Sequence, residues 1–558
     1  MTALRSLTCI LTTALLGALS GPFTGPATAR ERLELHTSSV ELPGAPASIL
    51  AADIDGDGRQ DLVVAVAYTE WDQVSIEEQT TMDDVEGLVE VMTIVPALFD
   101  RRELHVFRAV DGGYERLAPA LELERSVQSL TTGTGVVLAL TDDGVSVLRF
   151  RDGELLLDPL FEERTLLAGT GSFIGRLDFV HDLNGDGELD VLVPTRRGAT
   201  VVPLRNGRVV GTAVPLSYPI DPAKGLQRHH PWAEAREVTG DANVDLVLPH
   251  HRERWRHFHV LTGQGAGRFA EPIAPLGPPP PPPTRVLTWE DYQDGDDNEE
   301  SDATVIHFGD LDGDGQGEFV TAESLAAGEG GLRKGMREAK RPPFRYTFHR
   351  VLQENGTLAM ADEPYQTLDA LGYAFAEAED DEGRSFFPGG FQDLNGDGRP
   401  DLITLTLDFS LFQAVRILTV KSINIGLDFH VFCQRDDGSF REVRGLDLSG
   451  KFRLNLRDLR LGQLSFFDAD FDGDGRADFV QLGRGRQVTI HRGRENCSYP
   501  SEPDLVVRMS EEPRNVALVR IDDFDGDNLT DLIVVQPQKT DDPDVTAPVR
   551  LDIYRSLR

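Results

Sequence analysis

A nine-residue acidic loop recurs along this 558-residue chain, and each copy runs straight into an apolar segment. The first copy is Asp53-Ile54-Asp55-Gly56-Asp57-Gly58-Arg59-Gln60-Asp61, followed by Leu-Val-Val-Ala-Val. Five more begin at Asp182, Asp310, Asp393, Asp470 and Asp523, and a worn copy begins at Glu237. A pattern repeated at intervals of tens of residues restricts the fold to arrays in which each unit buries its apolar faces against its neighbours. One Asp-rich turn is ordinarily a solvated loop. Six near-identical ones need another reason.

The spacing of the oxygens supplies it. Calcium takes six to eight oxygen ligands in a tolerant geometry. Carboxylates at alternate positions of a tight loop converge on one point, here from positions 1, 3, 5 and 9, with a backbone carbonyl expected from position 7. In the first loop these are Asp53, Asp55, Asp57 and Asp61, with Arg59 at position 7. The second set is Asp182, Asn184, Asp186 and Asp190 with Glu188, and the third is Asp310, Asp312, Asp314 and Glu318 with Gln316. The remaining sets are Asp393, Asn395, Asp397 and Asp401 with Arg399; Asp470, Asp472, Asp474 and Asp478 with Arg476; and Asp523, Asp525, Asp527 and Asp531 with Leu529. Glycine at positions 4 and 6 lets the chain turn where a β-carbon would be penalised. At position 6 of the last loop stands Asn528, a residue type that tolerates the left-handed conformation. About six calcium sites are expected.

Helix–loop–helix calcium sites share part of this pattern, but the EF-hand places a bidentate Glu at position 12 and a helix after the loop. Here position 12 is Val64 in the first copy and Val193 in the second, and the continuations Asp-Leu-Val-Val, Asp-Val-Leu-Val and Asp-Leu-Ile-Val start strands. The units resemble the FG-GAP/VCBS repeats of integrin-α-like β-propellers, and the resemblance runs over nearly all of the chain beyond residue 29. It implies an all-β propeller of four-stranded blades, each calcium loop joining a blade's first and second strands. The Phe-Gly and Gly-Ala-Pro words of the integrin version are mostly missing, so the VCBS form is closer.

Blades can be counted from the residues themselves. A third strand of recurrent flavour follows each unit: Leu104-His-Val-Phe-Arg, Val145-Ser-Val-Leu-Arg, Val201-Val-Pro-Leu-Arg, Phe258-His-Val-Leu, Phe348-His-Arg-Val-Leu, Phe429-His-Val-Phe, Val488-Thr-Ile-His and Leu551-Asp-Ile-Tyr. Eight third strands are followed by seven fourth strands. The segment from Arg32 to His36, ahead of the first loop, is the expected donor of the eighth, and a ring closed in this way leaves no exposed sheet edge. Eight blades are expected, with seven the alternative if the loop-free segment from Leu130 to Leu140 is a linker.

Residues 1–29 read as a secretory signal: Arg5, an apolar run from about Leu7 to Leu19, and Ala27-Thr28-Ala29 as a cleavage site. The run is too short for a membrane span, and no later segment is long and apolar enough, so a secreted or periplasmic location is expected. Cys433 and Cys497 then remain, either as a disulfide in an oxidising compartment or as two separate buried thiols. The formal charge of −38 argues against nucleic acid and anionic membranes as partners. Positions 1, 3, 5 and 9 of the six loops hold 22 of the carboxylates, so much of that acidity is ligand. Crowded carboxylates repel without a cation, which makes binding energy folding energy.

In an antiparallel blade the 1–2 and 3–4 turns lie on one face of the disc and the other connections on the opposite face. The long insertions, near 69–103, 278–301, 322–343, 363–386 and 407–427, all belong to the second kind. Long connections on a rigid scaffold are where binding residues collect, and neutral surface embellishment is the plainer alternative. His229, His230, Trp232, His250, His251 and Trp255 map to that insertion face around the worn loop, either as a ligand or transition-metal pocket or as an aromatic junction between blades. No Gly-x-Ser-x-Gly, His-Glu-x-x-His, P-loop or Cys-x-x-Cys motif is visible. The expected role is a binding, adhesion or scaffold module for a protein or glycan on the insertion face. The alternative is a polysaccharide lyase on an eight-bladed calcium propeller.

Overall fold

The computed structural model describes residues 34–69, 100–165 save 125 and 134, 175–219 save 177–178 and 206, 233–249, 258–270 with 276, 304–374 save 326–339 and 355–356, and 390–557 save 409–421, 445–447, 456–459, 483–484, 514–518 and 538–547. Among these residues every element is a strand. Eight small antiparallel sheets follow one another along the chain, and they form an eight-bladed β-propeller.

Blade 1 orders Pro46–Ala52, Asp61–Thr69 and Asp100–Val110 side by side, with Gly113–Arg116 and Leu121–Leu123 both pairing the third strand. Blade 2 is Val127–Gly133, Val136–Thr141, Gly144–Arg151 and Glu154–Glu162. Its first two strands meet in a tight hairpin around Gly135, whose φ of +75° the missing side chain permits. The loop-free segment is thus a blade in its own right. Blade 3 follows with Val180–His181, Asp190–Thr195, Gly198–Val202 and Val214–Ser217, and blade 4 with Glu234–Arg236, Asp245–Pro249 and Phe258–Leu261. Leu276 bridges Phe258 at that blade's outer side.

Blade 5 comprises Thr304–Gly309, Glu318–Ser324, Pro343–Glu354 and a split fourth strand, Thr357–Met360 with Gln366–Leu371. Blade 6 comprises Phe391–Gln392, Asp401–Asp408, Ser422–Gln434 and Ser449–Asn455, the last running on into the first strand of blade 7. Blade 7 is Arg460–Ala469, Asp478–Leu482, Gln487–His491 and Leu505–Arg508. Blade 8 takes Val519–Asp522, Asp531–Pro537 and Val549–Leu557 from the end of the chain and Glu34–Leu42 from its beginning. That closing strand pairs antiparallel over its whole length, from Glu34 opposite Leu557 to Leu42 opposite Val549.

The reason for a ring lies in the second strands. In a strand, successive side chains point to opposite faces. In blade 1, Leu62, Val64 and Val66 join an apolar cluster with Ile533, Val535 and Leu551 of blade 8, while Val63 and Ala65 join Val127, Leu130 and Val137 of blade 2. Both faces are covered, so the strand is apolar on both, and the run Leu-Val-Val-Ala-Val follows. Eight such clusters are found among the described residues, one between each pair of consecutive blades, and the last joins blade 8 to blade 1. The core is therefore a circular series of inter-blade seams.

Parts of the insertions lie within the described residues. Strands run to Ser324 and from Pro343 on either side of 325–342, and to Asp408 and from Ser422 on either side of 409–421. Gln366–Leu371, inside the 363–386 link, is a strand of blade 5. Residues 1–29, 278–301, His229, His230, Trp232, His250, His251 and Trp255 lie outside the described residues. No helix among the described residues is long and apolar enough to cross a membrane.

Candidate metal centres

All six intact loops connect first to second strands and fold identically. The position-1 carboxylate organises the turn. Asp53 Oδ1 accepts from Gly56 N at 2.8 Å and its Oδ2 from Gly58 N at 2.9 Å. Asp182, Asp310, Asp393, Asp470 and Asp523 make the same two bonds, the last one using Asn528 N at position 6. Glycines 56 and 58 sit at φ +80° and +87°, and Asn528 takes +62° in the same role. Positions 3 and 5 accept from the amides two residues on, as in Asp57 N to Asp55 at 3.1 Å and Arg59 N to Asp57 at 2.9 Å.

Position 9 does more than the spacing suggests. Its carboxylate is buried in every copy, and in all but blade 5, where Glu318 bonds only Leu311 N of its own loop, it bonds the loop to the blade. Asp61 accepts from Ile54 N and from Ala109 N on the third strand, both at 3.0 Å. Asp401 does so with Leu394 N (3.0 Å) and Gln434 N (2.7 Å), Asp478 with Phe471 N and Gly493 N (2.9 Å each), and Asp531 with Phe524 N (3.1 Å) and Ser556 N (2.9 Å). Asp190 takes Leu204 N at 3.3 Å. The worn loop retains this staple, since Asp245 accepts from Val238 N (3.0 Å) and Gly263 N (2.8 Å). Burial pushes these acids up, with the loop's other carboxylates adding to it: Asp190 to about 6, Asp401 and Asp478 to about 7, Asp531 and Glu318 to about 8. These groups resist ionising together in the absence of a cation.

Position 2 is a second anchor. Leu183, Leu311, Leu394, Phe471 and Phe524 are buried, and each enters the seam between its own blade and the next. Ordering of a loop is thereby tied to the packing of two blades. The signal was present in the sequence as an apolar residue in the middle of an acidic run.

In four of the six loops three of the ligand positions come together. Ligand atoms of Asp53, Asp55 and Asp57 lie within 4.8 Å of one another, as do those of Asp310, Asp312 and Glu318, of Asp470, Asp472 and Asp478, and of Asp523, Asp525 and Asp531. The loops at Asp182 and Asp393 carry Asn184 and Asn395 at position 3 and share the turn geometry. Three oxygens in these clusters are buried without a hydrogen-bond partner: Glu318 Oε1, Asp472 Oδ1 and Asp525 Oδ1. Buried polar atoms are normally satisfied, so orphaned carboxylate oxygens aimed into an all-oxygen cluster fit a hard cation. Asp401 also lies beside Cys433 and Cys497, but those sulfurs are bonded to each other. This Cys433–Cys497 disulfide joins the third strand of blade 6 to the 3–4 connection of blade 7 and decides between the two readings left open by the sequence.

Residues 45–69 match the FG-GAP repeat, a span that holds the first strand, acidic loop and second strand of blade 1. The molecule is thus an eight-bladed β-propeller. Among propellers it is one that carries the FG-GAP repeat, as the loop sequences imply. No curated protein matches the chain. Of solved structures, a chain of the Photorhabdus luminescens Tc holotoxin pore aligns at 14% identity with a TM-score of 0.28, over 81% of this chain and 18% of that one. This chain spans less than a fifth of that protein's length, and a likeness so low says nothing of function.

Proposed function

We propose that this protein is an exported propeller whose blades are clamped by calcium and which serves as a binding or scaffold module for a protein or glycan partner. The observation that carries the calcium reading is the set of buried, unpartnered oxygens at Glu318, Asp472 and Asp525, each beside other carboxylates. When bound, the ion would supply positive charge to oxygens that otherwise repel. Asp53, Asp55, Asp57 and Asp61 and their counterparts would hold it, with the position-7 carbonyls of Arg59, Glu188, Gln316, Arg399, Arg476 and Leu529 completing the sets. The chain's own residues do the rest: position 1 shapes the turn, an aspartate at position 9 ties it to the third strand, and position 2 plugs it into the next seam.

The face assignment supports the partner site. Loops and 3–4 turns share one face, as contacts such as Arg399 to Asp436 at 2.9 Å and Tyr114 Oη to Phe524 O at 3.3 Å attest. The long connections leave from strand ends on the opposite face, which frees it to bind. The disulfide fits an oxidising compartment. Metal analysis with thermal melting in calcium and in chelator tests the clamp. Each site loaded at a hundredfold excess over its Kd adds about 2.7 kcal/mol to stability. Absence of bound alkaline-earth ion together with a chelator-insensitive melt refutes it. Glycan and protein arrays probed in both states then test the partner role, and calcium-independent emptiness across them rejects it.

A further inference from the structure

The residue opposite position 9 on the third strand varies with position 3 of the loop. In blade 5, Arg350 faces Glu318 in register. One step beyond the paired residues of the other blades, Arg108 faces Asp61, Arg492 faces Asp478 and Arg555 faces Asp531. These four blades have Asp at position 3: Asp55, Asp312, Asp472 and Asp525. Blades 3 and 6 have Asn184 and Asn395 there, and the facing residues are Pro203 and Cys433. Blade 4, with Thr239, faces Thr262. Arginine thus accompanies aspartate and is missing where position 3 is neutral.

The contacts give this pattern a physical meaning. Arg350 Nη2 lies 3.0 Å from Asp312 Oδ2 and its Nη1 3.3 Å from Asp314; Arg492 Nε lies 3.0 Å from Asp472 Oδ2; Arg555 Nη1 lies 3.5 Å from Asp525 Oδ2. Tyr365 and Tyr114 hold two of these guanidinium groups, with Arg350 5.2 Å and Arg555 5.6 Å from the ring centres. The cation grips one oxygen, and in Asp472 and Asp525 the other is the buried one without a partner. In blade 3 the Asn184 amide donates to both oxygens of Asp190, at 3.0 and 2.9 Å, and in blade 6 Asn395 donates to Asp397 at 3.2 Å. The amides thus donate to positions 9 and 5, whereas the arginines reach position 3 and, in blade 5, position 5 as well. In blade 1, Arg108 reaches Glu115 at 3.5 Å, and the cation at that loop is its own Arg59, 2.7 Å from Asp57.

We infer that the third-strand arginines Arg350, Arg492 and Arg555 are positioning residues of the loops, which cancel the position-3 charge and turn its second oxygen inward, as asparagine does by being neutral. The inference deepens the calcium reading and rests on it, and it sorts the loops into two classes plus blade 1, where Arg108 turns to Glu115. The test is hydrogen exchange of residues 470–478 in chelator. Arg492→Gln is expected to speed exchange there about tenfold, the effect of losing a half-buried ion pair. Arg492→Lys, which retains the charge, is expected to fall between, and Arg492→Gln with Asp472→Asn to return close to the native rate. Native exchange in Arg492→Gln, or a double variant as fast as the single one, overturns the inference. Adding calcium to the native protein separates the two readings: loops that ignore it refute the clamp, while the rescue in chelator still decides the pairing.

Discussion

Removing the Cys433–Cys497 bond gives the most direct handle on how the ring is held together. The two cysteines are separated by 64 residues and connect blades 6 and 7. In the chain-entropy account a closed loop of that length restricts the unfolded ensemble by about 14 cal/mol/K, or about 4 kcal/mol at 25 °C. The partners meet inside an apolar seam with Phe467, Phe479 and Tyr499. Denaturant unfolding of oxidised and reduced protein in calcium isolates the cross-link, because both forms keep the same side chains. Cys433→Ala with Cys497→Ala should reproduce the reduced value, with a further loss from the emptied seam. Mass analysis verifies the bond before each run. A reduced protein within about 1 kcal/mol of the oxidised one refutes the reasoning, since it would mean that the seam alone fixes the two blades.

Three further outcomes are expected. Phe471→Ala removes a fully buried ring from the seam of blades 7 and 8 and should cost about 3–5 kcal/mol in denaturant unfolding, where a loss below about 1 kcal/mol would break the link between loop and seam. Gly396→Ala places a β-carbon 2.4 Å from Gly475 O of the next loop, whereas Gly398→Ala meets nothing within 4 Å. At φ +82° Gly398→Ala should therefore cost only about 1–2 kcal/mol of backbone strain and Gly396→Ala clearly more, and equal losses by thermal melting would deny the contact between loops. The His307 ring lies 4.8 Å from Phe391, and burial, aided by Arg236, holds its pKa down at about 3. The unfolded chain then takes up a proton that the folded one refuses, so its contribution is intact above the unfolded pKa and lost as pH falls from about 6.5 towards 3. At pH 5 this amounts to about 2 kcal/mol, which His307→Phe should remove from the difference between unfolding at pH 7 and at pH 5; an unchanged difference rejects it.

The propeller was legible because each of its determinants is local. Asp-x-Asp-Gly-Asp-Gly spacing makes the turn by bonds from position 1 to its own backbone, within nine residues. Apolar runs after the loops announce strands covered on both faces, and the surplus of one third strand over fourth strands calls for Glu34–Leu42 as the closing strand. What the loops owe to distant residues was hidden. Asp61 reads as a ligand in sequence, while its bond to Ala109 N lies 48 residues away.

The chain by itself determined the repeat, the strand order and the count of eight, because these depend on neighbours in sequence and on a period of two. Tertiary structure alone decided that Cys433 meets Cys497, that position 9 staples the loops other than that of blade 5 to their third strands, and that Arg350, Arg492 and Arg555 reach position 3. Those pairings depend on the strand register and on the packing of consecutive blades, and neither is encoded in the spacing of any one segment.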